Sequence, residues 1–428
     1  MSYYLVFKAK LEGELTIPPS KSHTLRALLF ASLAQGKSTI TSYLHSPDTE
    51  AMIEGCHLLG ANIASVSQII EVEGVAGKIP FSEDVIHVGN SGIALRFLAA
   101  VGALSSHPIV ITGDYSIRHQ RPMQPLLDAL LQLDVLAYSM RGDGYAPVIV
   151  KGPLKPGKAT ILGRDSQFVS ALLIAGSQAE GPVEIHVEDP GEKPWVDLTL
   201  SWFTRLNIPF EREGYTRYYL PGRSKIAPFT YRVPGDLSTA AFPIAAALIT
   251  DSKLTLKNVD FTDSQGDKKL IECFQKMGAK IEINLEAKTL NVLQGGTLHG
   301  IDVDVNDFID GLPILATLCC YAKGKSRLYN GAIARHKESD RIHCMAKELS
   351  KMGAGIHEMN DGLTIDPASL QGAKLQTYQD HRLVMALTVA AMGAEGESMI
   401  LNTEPVFKTY PKFAEDFNAL GANIRVLE

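Results

Sequence analysis

Six segments of the chain are apolar on nearly every side of a helix, and each starts with a cluster containing Ser, Asn or Asp. Helices that are apolar all round are buried, and Ser, Asn and Asp are residues that cap a helix N-terminus. The segments are SKSHTLRALLFASLA, NSGIALRFLAAVGAL, DSQFVSALLIAGSQA, DLSTAAFPIAAALIT, DGLPILATLCCYAKG and DHRLVMALTVAAMGA. The pattern predicts six buried helices whose polar ends begin at equivalent positions of a repeating structure.

A second group of helices alternates with the buried ones. These helices are amphipathic, and each ends at a residue that tolerates the left-handed turn of a helix C-terminus before a short strand begins. The turn residues are Gly60, Asp134, Asn207, Gly278, Gly353 and Gly421. They recur at intervals of roughly 70 residues, which indicates an internal repeat on the scale of a βαβαββ unit.

Six such units predict an α/β (α+β) protein with two domains of three units each. The N-terminal strand can pair with the last three units, so the chain crosses between the domains twice. We therefore expect residues 1–16 and 236–428 to form one discontinuous domain and residues 17–235 to form an inserted domain. Because ligand sites are commonly clefts between domains, we expect the active site in the interdomain cleft.

The composition argues against several classes of protein. The formal net charge is −6 and 21% of the residues are charged, so we expect no binding to nucleic acid or to an anionic membrane. No stretch approaches the roughly 18 consecutive apolar residues of a spanning helix, and we expect no signal peptide. The five cysteines show no CxxC spacing, which indicates free thiols in a reducing cytoplasm and no metal site.

Cations stand at positions suited to anion binding. The stretch PPSKSHTLR places Lys21, Ser22 and Arg26 at a helix start, where the helix dipole is already positive and favours an anion. Other cations, amides and glycines occupy comparable positions, namely Asn90, Gly92, Arg96, Arg118, Arg121, Arg335, Lys337, Arg341, His381, Arg382 and Lys408. Each one alone is more often a surface group, but their equivalent placement in the repeat favours a shared anion site.

The order and spacing of seven motifs resemble those of the enolpyruvyl transferases. The motifs are SKSHTLRALL, GNSGIALRF, QRPM, SQFVSALL, HKESDR, DHRLVMA and KTYP. The resemblance runs from about residue 12 to about residue 415 and is closest to the branch of the family that acts on shikimate 3-phosphate. It implies the two-domain enolpyruvyl transferase fold, an inside-out α/β barrel with three βαβαββ repeats in each domain.

The resemblance also implies a reaction. Enzymes of this branch of the shikimate pathway transfer the enolpyruvyl group of phosphoenolpyruvate to the 5-hydroxyl of shikimate 3-phosphate. The reaction passes through a tetrahedral ketal intermediate and releases phosphate. Neither a metal nor an organic cofactor is expected. The expected partners are these two small molecules, and we expect a cytoplasmic monomer.

The resemblance assigns residues to each substrate. The residues for phosphoenolpyruvate are Lys21, Asn90, Gly92, Arg121, Gln167, Arg341, His381, Arg382 and Lys408. The residues for shikimate 3-phosphate are Lys21, Ser22, Arg26, Ser166, Gln167, Asp310 and Lys337. Phosphoenolpyruvate carries a phosphate and a carboxylate, so several cations with two-point guanidinium contacts suit it.

The catalytic residues implied are Asp310, Glu338 and Lys21. Asp310 would accept the proton of the acceptor 5-hydroxyl, and Glu338 would protonate the methylene carbon of phosphoenolpyruvate. Two carboxyl groups in different electrostatic settings suit a reaction that delivers one proton and removes another. From the residues alone, Asp310 also reads as the N-cap of the next helix, and Glu338 as the i+3 helical partner of Arg341.

Two acids depart from the pattern of the family. Asp165 and Glu192 stand where serines usually help to hold the acceptor phosphate, and Trp195 replaces a tyrosine. We expect the acids to pair with Arg164 or Lys193. The alternatives are that they are protonated, or that a sibling enzyme uses a different hydroxyl acceptor.

The residues argue against two further interpretations. One is the branch that acts on UDP-N-acetylglucosamine, which carries a reactive Cys or Asp in a loop that reads YSIRHQRPM here, without a cysteine. The other is a protein that binds anions without catalysis, which would not need Asp310 and Glu338.

Overall fold

The computed structural model describes residues 2–80, 82 and 84–428. The chain forms two compact units. The first unit comprises the chain up to Pro18 together with Pro234–Glu428, and the second unit comprises Pro19–Val233. Each unit has its own core of buried apolar side chains.

Helices and strands alternate along the chain. The helices are α1 (Lys21–Leu33), α2 (Pro47–Leu58), α3 (Gly92–Gly102), α4 (Tyr115–His119), α5 (Gln124–Leu131), α6 (Ser166–Gln178), α7 (Lys193–Arg205), α8 (Leu237–Ile249), α9 (Lys268–Lys276), α10 (Leu312–Cys320), α11 (Arg341–Lys351), α12 (His381–Gly393) and α13 (Phe413–Ala419). The strands are β1 (Tyr3–Phe7), β2 (Glu12–Thr16), β3 (Lys37–Thr41), β4 (Asn62–Val66), β5 (Ile69–Glu73), β6 (Ile86–His87), β7 (Ile109–Thr112), β8 (Leu136–Ser139), β9 (Val148–Lys151), β10 (Gly157–Leu162), β11 (Val183–Glu188), β12 (Glu211–Glu213), β13 (Arg217–Leu220), β14 (Thr230–Arg232), β15 (Lys253–Lys257), β16 (Ile281–Asn284), β17 (Thr289–Val292), β18 (Asp302–Asp304), β19 (Ser326–Tyr329), β20 (Gly355–Met359), β21 (Gly362–Asp366), β22 (Lys374–Gln376), β23 (Ser398–Leu401) and β24 (Asn423–Leu427). Short 3₁₀ turns cover Asn306–Gly311, Ala332–His336 and Glu404–Lys408.

The sheets repeat one topology. Within the described residues, the strands form six four-stranded sheets, three in each unit. In the second unit, for example, β10 is parallel to β11, β11 is antiparallel to β13, and β13 is antiparallel to β12. The other five sheets have the same sequence of one parallel and two antiparallel pairings. The predicted sixfold repeat is confirmed.

Three sheets are completed by strands distant in sequence. Strand β1 lies between β23 and β24, and β2 pairs with β15, so the N-terminal strands belong to sheets of the last three repeats. Strand β14 pairs with β3 and completes the first repeat of the second unit. These pairings fix where the chain enters and leaves each unit.

The six predicted apolar helices are α1, α3, α6, α8, α10 and α12, and nearly all their side chains are buried. In the first unit, α8, α10 and α12 pack on one another. In the second unit, α3 packs on α6. Burial of these helices fixes the positions of their polar N-terminal ends.

The predicted turns after the amphipathic helices are also confirmed. All six residues have a positive φ: Gly60 (99°), Asp134 (59°), Asn207 (54°), Gly278 (106°), Gly353 (90°) and Gly421 (102°). Glycine, asparagine and aspartate tolerate this region better than other residues, so the sequence signal was local and direct.

All five cysteines are free and buried, as the spacing indicated. Among the described residues, no helix has the length and apolar character needed to cross a membrane.

Candidate active site

In the first unit, Arg341 joins three carboxylates. It is the first residue of α11, and its side chain is 1% exposed. Its Nη1 donates to Asp310 at 2.7 Å, its Nη2 to Glu338 at 2.8 Å, and its Nε to Asp380 at 2.8 Å. Burial alone would lower the pKa of Arg341, but Asp380, Glu338 and Asp310 outweigh burial and raise the pKa above its usual value. The guanidinium therefore stays charged and holds the acids around it.

Glu338 lies between two cations. Its second carboxylate oxygen accepts a hydrogen bond from Lys408 Nζ at 2.8 Å. The expectation of an intrahelical pair with Arg341 was wrong in one respect, because Glu338 precedes the helix. Asp340 caps α11 by accepting the His343 N–H at 3.0 Å, so the helix begins after it.

Asp310 does not cap the following helix, so that prediction was wrong. It lies in the 3₁₀ turn Asn306–Gly311, and α10 begins at Leu312 with Gly311 in the N-cap position. The Asp310 carboxylate instead contacts Arg341, and it lies 3.6 Å from Arg382 Nη2. Two guanidinium groups attract a carboxylate more strongly than the first N–H groups of a helix do.

The pKa of Asp310 reflects these neighbours. Burial alone would raise the pKa of its carboxyl group, but the Arg341, Arg382 and Lys337 cations outweigh burial. They hold the pKa well below its usual range, although Glu338 opposes them. Asp310 is therefore ionised and available to accept a proton.

Asp380 is a site residue that the sequence analysis did not assign. It is fully buried before α12 and accepts hydrogen bonds from Ser339 Oγ at 3.0 Å and from the Arg382 N–H at 2.8 Å, besides Arg341. His381 is also buried, with Nδ1 at 3.6 Å from Asp380. The DHR motif contained this residue, but its Asp looked like an ordinary helix cap.

Asp267 is a second acid that the sequence analysis did not assign. It is fully buried before α9. Burial, Asp236 and Asp310 raise the pKa of Asp267 to about 8, against the opposing effect of Arg382. In the sequence it stands before two lysines at a helix start, and nothing local marks it as buried.

Glu338, Asp380 and His381 have ligand atoms within 4.8 Å of one another, as in a metal site. The carboxylate oxygens of this group, however, already accept hydrogen bonds from Arg341 and Lys408. A metal ion would lie against these buried cations, which disfavours a metal at this position.

In the second unit, Lys21 and Arg26 extend from α1. Lys21 Nζ lies 3.4 Å from the buried carboxylate of Asp48. Arg26 is buried, and it donates to Thr199 Oγ1 at 3.0 Å, to the Ser22 carbonyl at 3.3 Å and to the Trp195 carbonyl at 3.4 Å. These partners of Arg26 are neutral, which leaves its charge available to an anion. Asp48 was missed because SPDTE reads as a helix start.

The structure explains why the second glycine of the GNSGIALRF motif, Gly92, has no side chain. It is the first residue of α3, and an added Cβ would lie 2.5 Å from Arg96 Nη1 and 3.5 Å from Arg121 Nη1. Both guanidinium groups are buried. The glycine thus lets two cations lie close to a helix N-terminus, an arrangement suited to a phosphate. Asn90 lies in the turn just before this helix.

Asp165 and Glu192 bind the N-terminus of α6. Glu192 is 1% exposed, and its Oε2 accepts from the Ser166 N–H at 2.9 Å and from Ser166 Oγ at 3.1 Å. Asp165 accepts the Gln167 N–H at 2.9 Å. Helix N–H groups and the helix dipole therefore stabilise both carboxylates.

These contacts with α6 were not expected from the sequence, and the expected pairing of the two acids with Arg164 or Lys193 stays a prediction. Arg164 pairs with Asp189 at 2.5 Å, and the Lys193 ammonium lies 5.6 Å from the centre of the Tyr215 ring. The buried helix end is within reach of both acids, whereas Arg164 is exposed and pairs at the surface.

A family model described as EPSP synthase (3-phosphoshikimate 1-carboxyvinyltransferase) matches residues 7–417. A 3-phosphoshikimate 1-carboxyvinyltransferase of Chlamydia muridarum is 43% identical over 426 residues, covering 99% of this chain and 95% of the relative. One of the same description from Acetivibrio thermocellus is 44% identical over 423 residues, covering 99% of each.

Solved structures have the same fold. The EPSP synthase of Acinetobacter baumannii is 26% identical, with a TM-score of 0.85 and full coverage of both chains. The enolpyruvyl transferase NikO of Streptomyces tendae is 18% identical, with a TM-score of 0.80 over 100% of this chain and 99% of that one. The expected enolpyruvyl transferase fold is confirmed. Because the family match and the relatives span nearly the whole sequence, the chain belongs to the EPSP synthase family.

Proposed function

We propose that this protein transfers the enolpyruvyl group of phosphoenolpyruvate to the 5-hydroxyl of shikimate 3-phosphate and releases phosphate. The observation that carries the proposal is the arrangement around Arg341, which holds Asp310 at 2.7 Å and Glu338 at 2.8 Å. A buried cation flanked by two acids supplies a carboxylate-binding group, a proton acceptor and a proton donor. The named relatives, at 43–44% identity, support the same reaction.

Phosphoenolpyruvate is proposed to bind through its two anionic groups. Arg341 and Arg382 bind its carboxylate with guanidinium pairs. The phosphate is bound by Lys21, Arg121 and Lys408, with the Gly92 N–H at the start of α3. Asn90, Gln167 and His381 complete this set.

The acceptor is proposed to bind through a second set of side chains. They are Ser22, Arg26, Ser166, Gln167, Lys337 and Asp310. Arg26 brings a charge with neutral partners to this set, which suits the phosphate of shikimate 3-phosphate. Asp310 is placed to receive the proton of the 5-hydroxyl.

The proposed chemistry has two stages. In the first, Glu338 protonates the methylene carbon of phosphoenolpyruvate while Asp310 takes the hydroxyl proton, and the acceptor oxygen bonds to the central carbon. In the second, the new methyl group returns a proton to Glu338, and the bond between the central carbon and the phosphate oxygen breaks. Asp310 passes its proton to the departing phosphate, and the enol ether and phosphate leave. Lys21 and Lys408 stabilise the charge on the departing phosphate. The reaction as proposed needs no cofactor, and we propose a monomer acting in the cytoplasm.

The test is phosphate release from phosphoenolpyruvate with and without shikimate 3-phosphate. The expected result is release that depends on the acceptor, together with formation of the enolpyruvyl ether. Release no faster than in the absence of acceptor overturns the proposal and favours a sibling enzyme with another hydroxyl acceptor. Asp310→Ala and Glu338→Ala variants that bind both ligands by calorimetry, yet lose turnover, would separate catalysis from mere anion binding.

A further inference from the structure

One buried acid near the first-unit site has no part in the proposed chemistry. Glu348 lies on α11, seven residues after Arg341, and it is 0% exposed. Its Oε2 accepts the Gln376 N–H at 2.9 Å, and its Oε1 accepts the Tyr378 hydroxyl at 2.6 Å. Lys351 Nζ donates to both oxygens, at 2.8 and 2.6 Å. The acid therefore ties α11 to residues 376–380, which run from the end of β22 to the start of α12.

That segment has a backbone conformation that needs external support. Tyr378 and Gln379 are consecutive non-glycine residues with φ of 52° and 58°. The left-handed region is unfavourable for such residues and persists only where the surrounding structure imposes it. The bonds from Glu348 hold the residues on either side of Thr377, whose Oγ1 donates to the Leu401 and Asn402 carbonyls at 2.9 and 2.8 Å.

The segment ends at Asp380, which contacts the proposed carboxylate-binding arginines. The Asp380 N–H donates to the Thr377 carbonyl at 2.9 Å, so the path of the segment determines where its carboxylate lies. That carboxylate accepts from Arg341 Nε and from the Arg382 N–H, both at 2.8 Å. Helix α11 thus contacts the segment at two points, through Arg341 and through Glu348.

We propose that Glu348 and Tyr378 are positioning residues, whose hydrogen bond sets the path of residues 376–380 so that Asp380 aligns Arg341 and Arg382 on the carboxylate of the substrate. This inference rests on the proposed function, in which that carboxylate belongs to phosphoenolpyruvate. Desolvation and the Glu348 carboxylate raise the pKa of Tyr378 above its usual value, so its hydroxyl keeps its proton and donates.

The first test compares two tyrosines of the same unit. Tyr378→Phe removes the hydroxyl but keeps the ring, over which Lys347 Nζ lies 5.8 Å from the centre. Tyr321→Phe is the matched control, because the Tyr321 hydroxyl donates to the Ala390 carbonyl at 2.6 Å, near the C-terminal end of α12. Each variant loses one hydrogen bond from a partly buried hydroxyl, but only Tyr378 holds the segment before Asp380.

For Tyr378→Phe, we expect the KM for phosphoenolpyruvate to rise about tenfold, with a smaller change in kcat and less than a twofold change in the KM for shikimate 3-phosphate. Tyr321→Phe should leave both KM values within twofold of the parent. The inference is overturned if Tyr378→Phe raises neither KM, or raises the KM values for phosphoenolpyruvate and shikimate 3-phosphate equally. It is also overturned if Tyr321→Phe raises the KM for phosphoenolpyruvate as much as Tyr378→Phe does.

A second pair of variants acts on the carboxylate itself. Glu348→Gln leaves one acceptor oxygen facing several donors, and should raise the KM for phosphoenolpyruvate at least as much as Tyr378→Phe. Lys351→Met removes a partner of the same carboxylate outside the segment and should change neither KM more than twofold. The double variant Glu348→Gln/Tyr378→Phe should be no worse than Glu348→Gln alone, because both remove one interaction. Additive effects contradict the inference.

Turnover by the unmutated protein distinguishes a failure of the proposed function from a failure of this inference. If the parent shows no turnover with shikimate 3-phosphate, the proposed function fails. The inference is then tested by calorimetric titration, which measures the affinity of the same variants for phosphoenolpyruvate. Weaker binding in Tyr378→Phe but not in Tyr321→Phe supports it, and equal binding in the two overturns it.

Discussion

Asp310 shares its cations with the anion that the site is proposed to bind. Arg341 and Arg382 contact the Asp310 carboxylate, and they are also the residues proposed for the carboxylate of phosphoenolpyruvate. When that anion binds, it neutralises part of the field that holds the pKa of Asp310 low. If the proposed function holds, Asp310 should therefore become a stronger base once phosphoenolpyruvate is bound.

Asp310→Asn is expected to remove the base while keeping the shape of the side chain. The kcat should fall about 100-fold or more, within the range for loss of a general base. Phosphoenolpyruvate should bind equally well or more tightly, because a competing carboxylate has gone. Steady-state kinetics and calorimetry measure the two effects. A variant that keeps its kcat would show that Asp310 is not the base.

Asp267 predicts a pH dependence of stability. Its pKa is raised from 3.8 to about 8 in the folded protein by burial and by Asp236 and Asp310. Between these pH values the folded chain holds a proton that the unfolded chain has lost. The protonated Asp267 therefore adds to the free energy of unfolding at low pH, and this stabilisation is lost as the pH rises through 8. Relative to the parent, the free energy of unfolding of Asp267→Asn should rise by up to about 4 kcal/mol between pH 5 and pH 8.

Urea unfolding at both pH values measures this difference. Asp302→Asn, at an exposed position of the same unit, serves as the control and should parallel the parent. A parent and an Asp267→Asn variant that change in parallel between pH 5 and pH 8 would contradict the prediction.

At the scale of helices and strands, the sequence predicted what local chemistry determines. Apolar periodicity located the six buried helices, and Gly, Asn and Asp located the turns after the amphipathic ones. The errors concerned acids next to helix starts. Asp310 looked like an N-cap, but tertiary contacts with Arg341 and Arg382 direct it elsewhere. Asp48, Glu348 and Asp380 also have partners in distant segments, namely Lys21, Tyr378 and Arg341, and a single sequence carried no local signal for these contacts.

Glu192 offers a test at the N-terminus of α6. Glu192→Gln keeps an oxygen for the Ser166 N–H but removes a negative charge 3.1 Å from Ser166 Oγ. Loss of the charge–dipole interaction should cost about 0.5–1 kcal/mol of folding stability. The KM for shikimate 3-phosphate should nevertheless fall about three- to tenfold, because a carboxylate no longer repels the acceptor phosphate.

Chemical unfolding measures the expected loss of stability, and steady-state kinetics measure the expected gain in apparent affinity for shikimate 3-phosphate. Asp189→Asn, which removes the surface partner of Arg164, is the control and should leave the KM unchanged. A higher KM for shikimate 3-phosphate in Glu192→Gln would mean that the carboxylate helps to bind the acceptor.

At the scale of the whole molecule, each unit is a self-contained set of three repeats. The unit boundaries fall between Pro18 and Pro19 and between Val233 and Pro234. Counting the repeats predicted the number of sheets, because each repeat supplies one sheet. It could not show the side-chain contacts by which the last strand of the second unit is held.

Those contacts make β14 the closing element of the second unit. Tyr231 pairs with Ile40 of β3, and its hydroxyl lies 3.0 Å from His23 Nδ1, to which Trp202 Nε1 donates at 3.1 Å. The Val233 N–H donates to the Thr41 carbonyl at 3.0 Å. The strand therefore ties the end of the unit to its first helix and first sheet.

A fragment of residues 19–233 should accordingly fold and unfold cooperatively, since it contains three complete sheets and its own core. A fragment of residues 19–229, which lacks β14, loses a parallel ladder and the Tyr231 contacts, at a cost of about 3 kcal/mol. For a unit of this size, that cost lowers the unfolding midpoint by about 10 °C. Thermal melts followed by circular dichroism compare the two fragments. Equal midpoints would mean that β14 adds nothing to the unit, and a longer fragment without a cooperative transition would mean that the inserted unit depends on the rest of the chain.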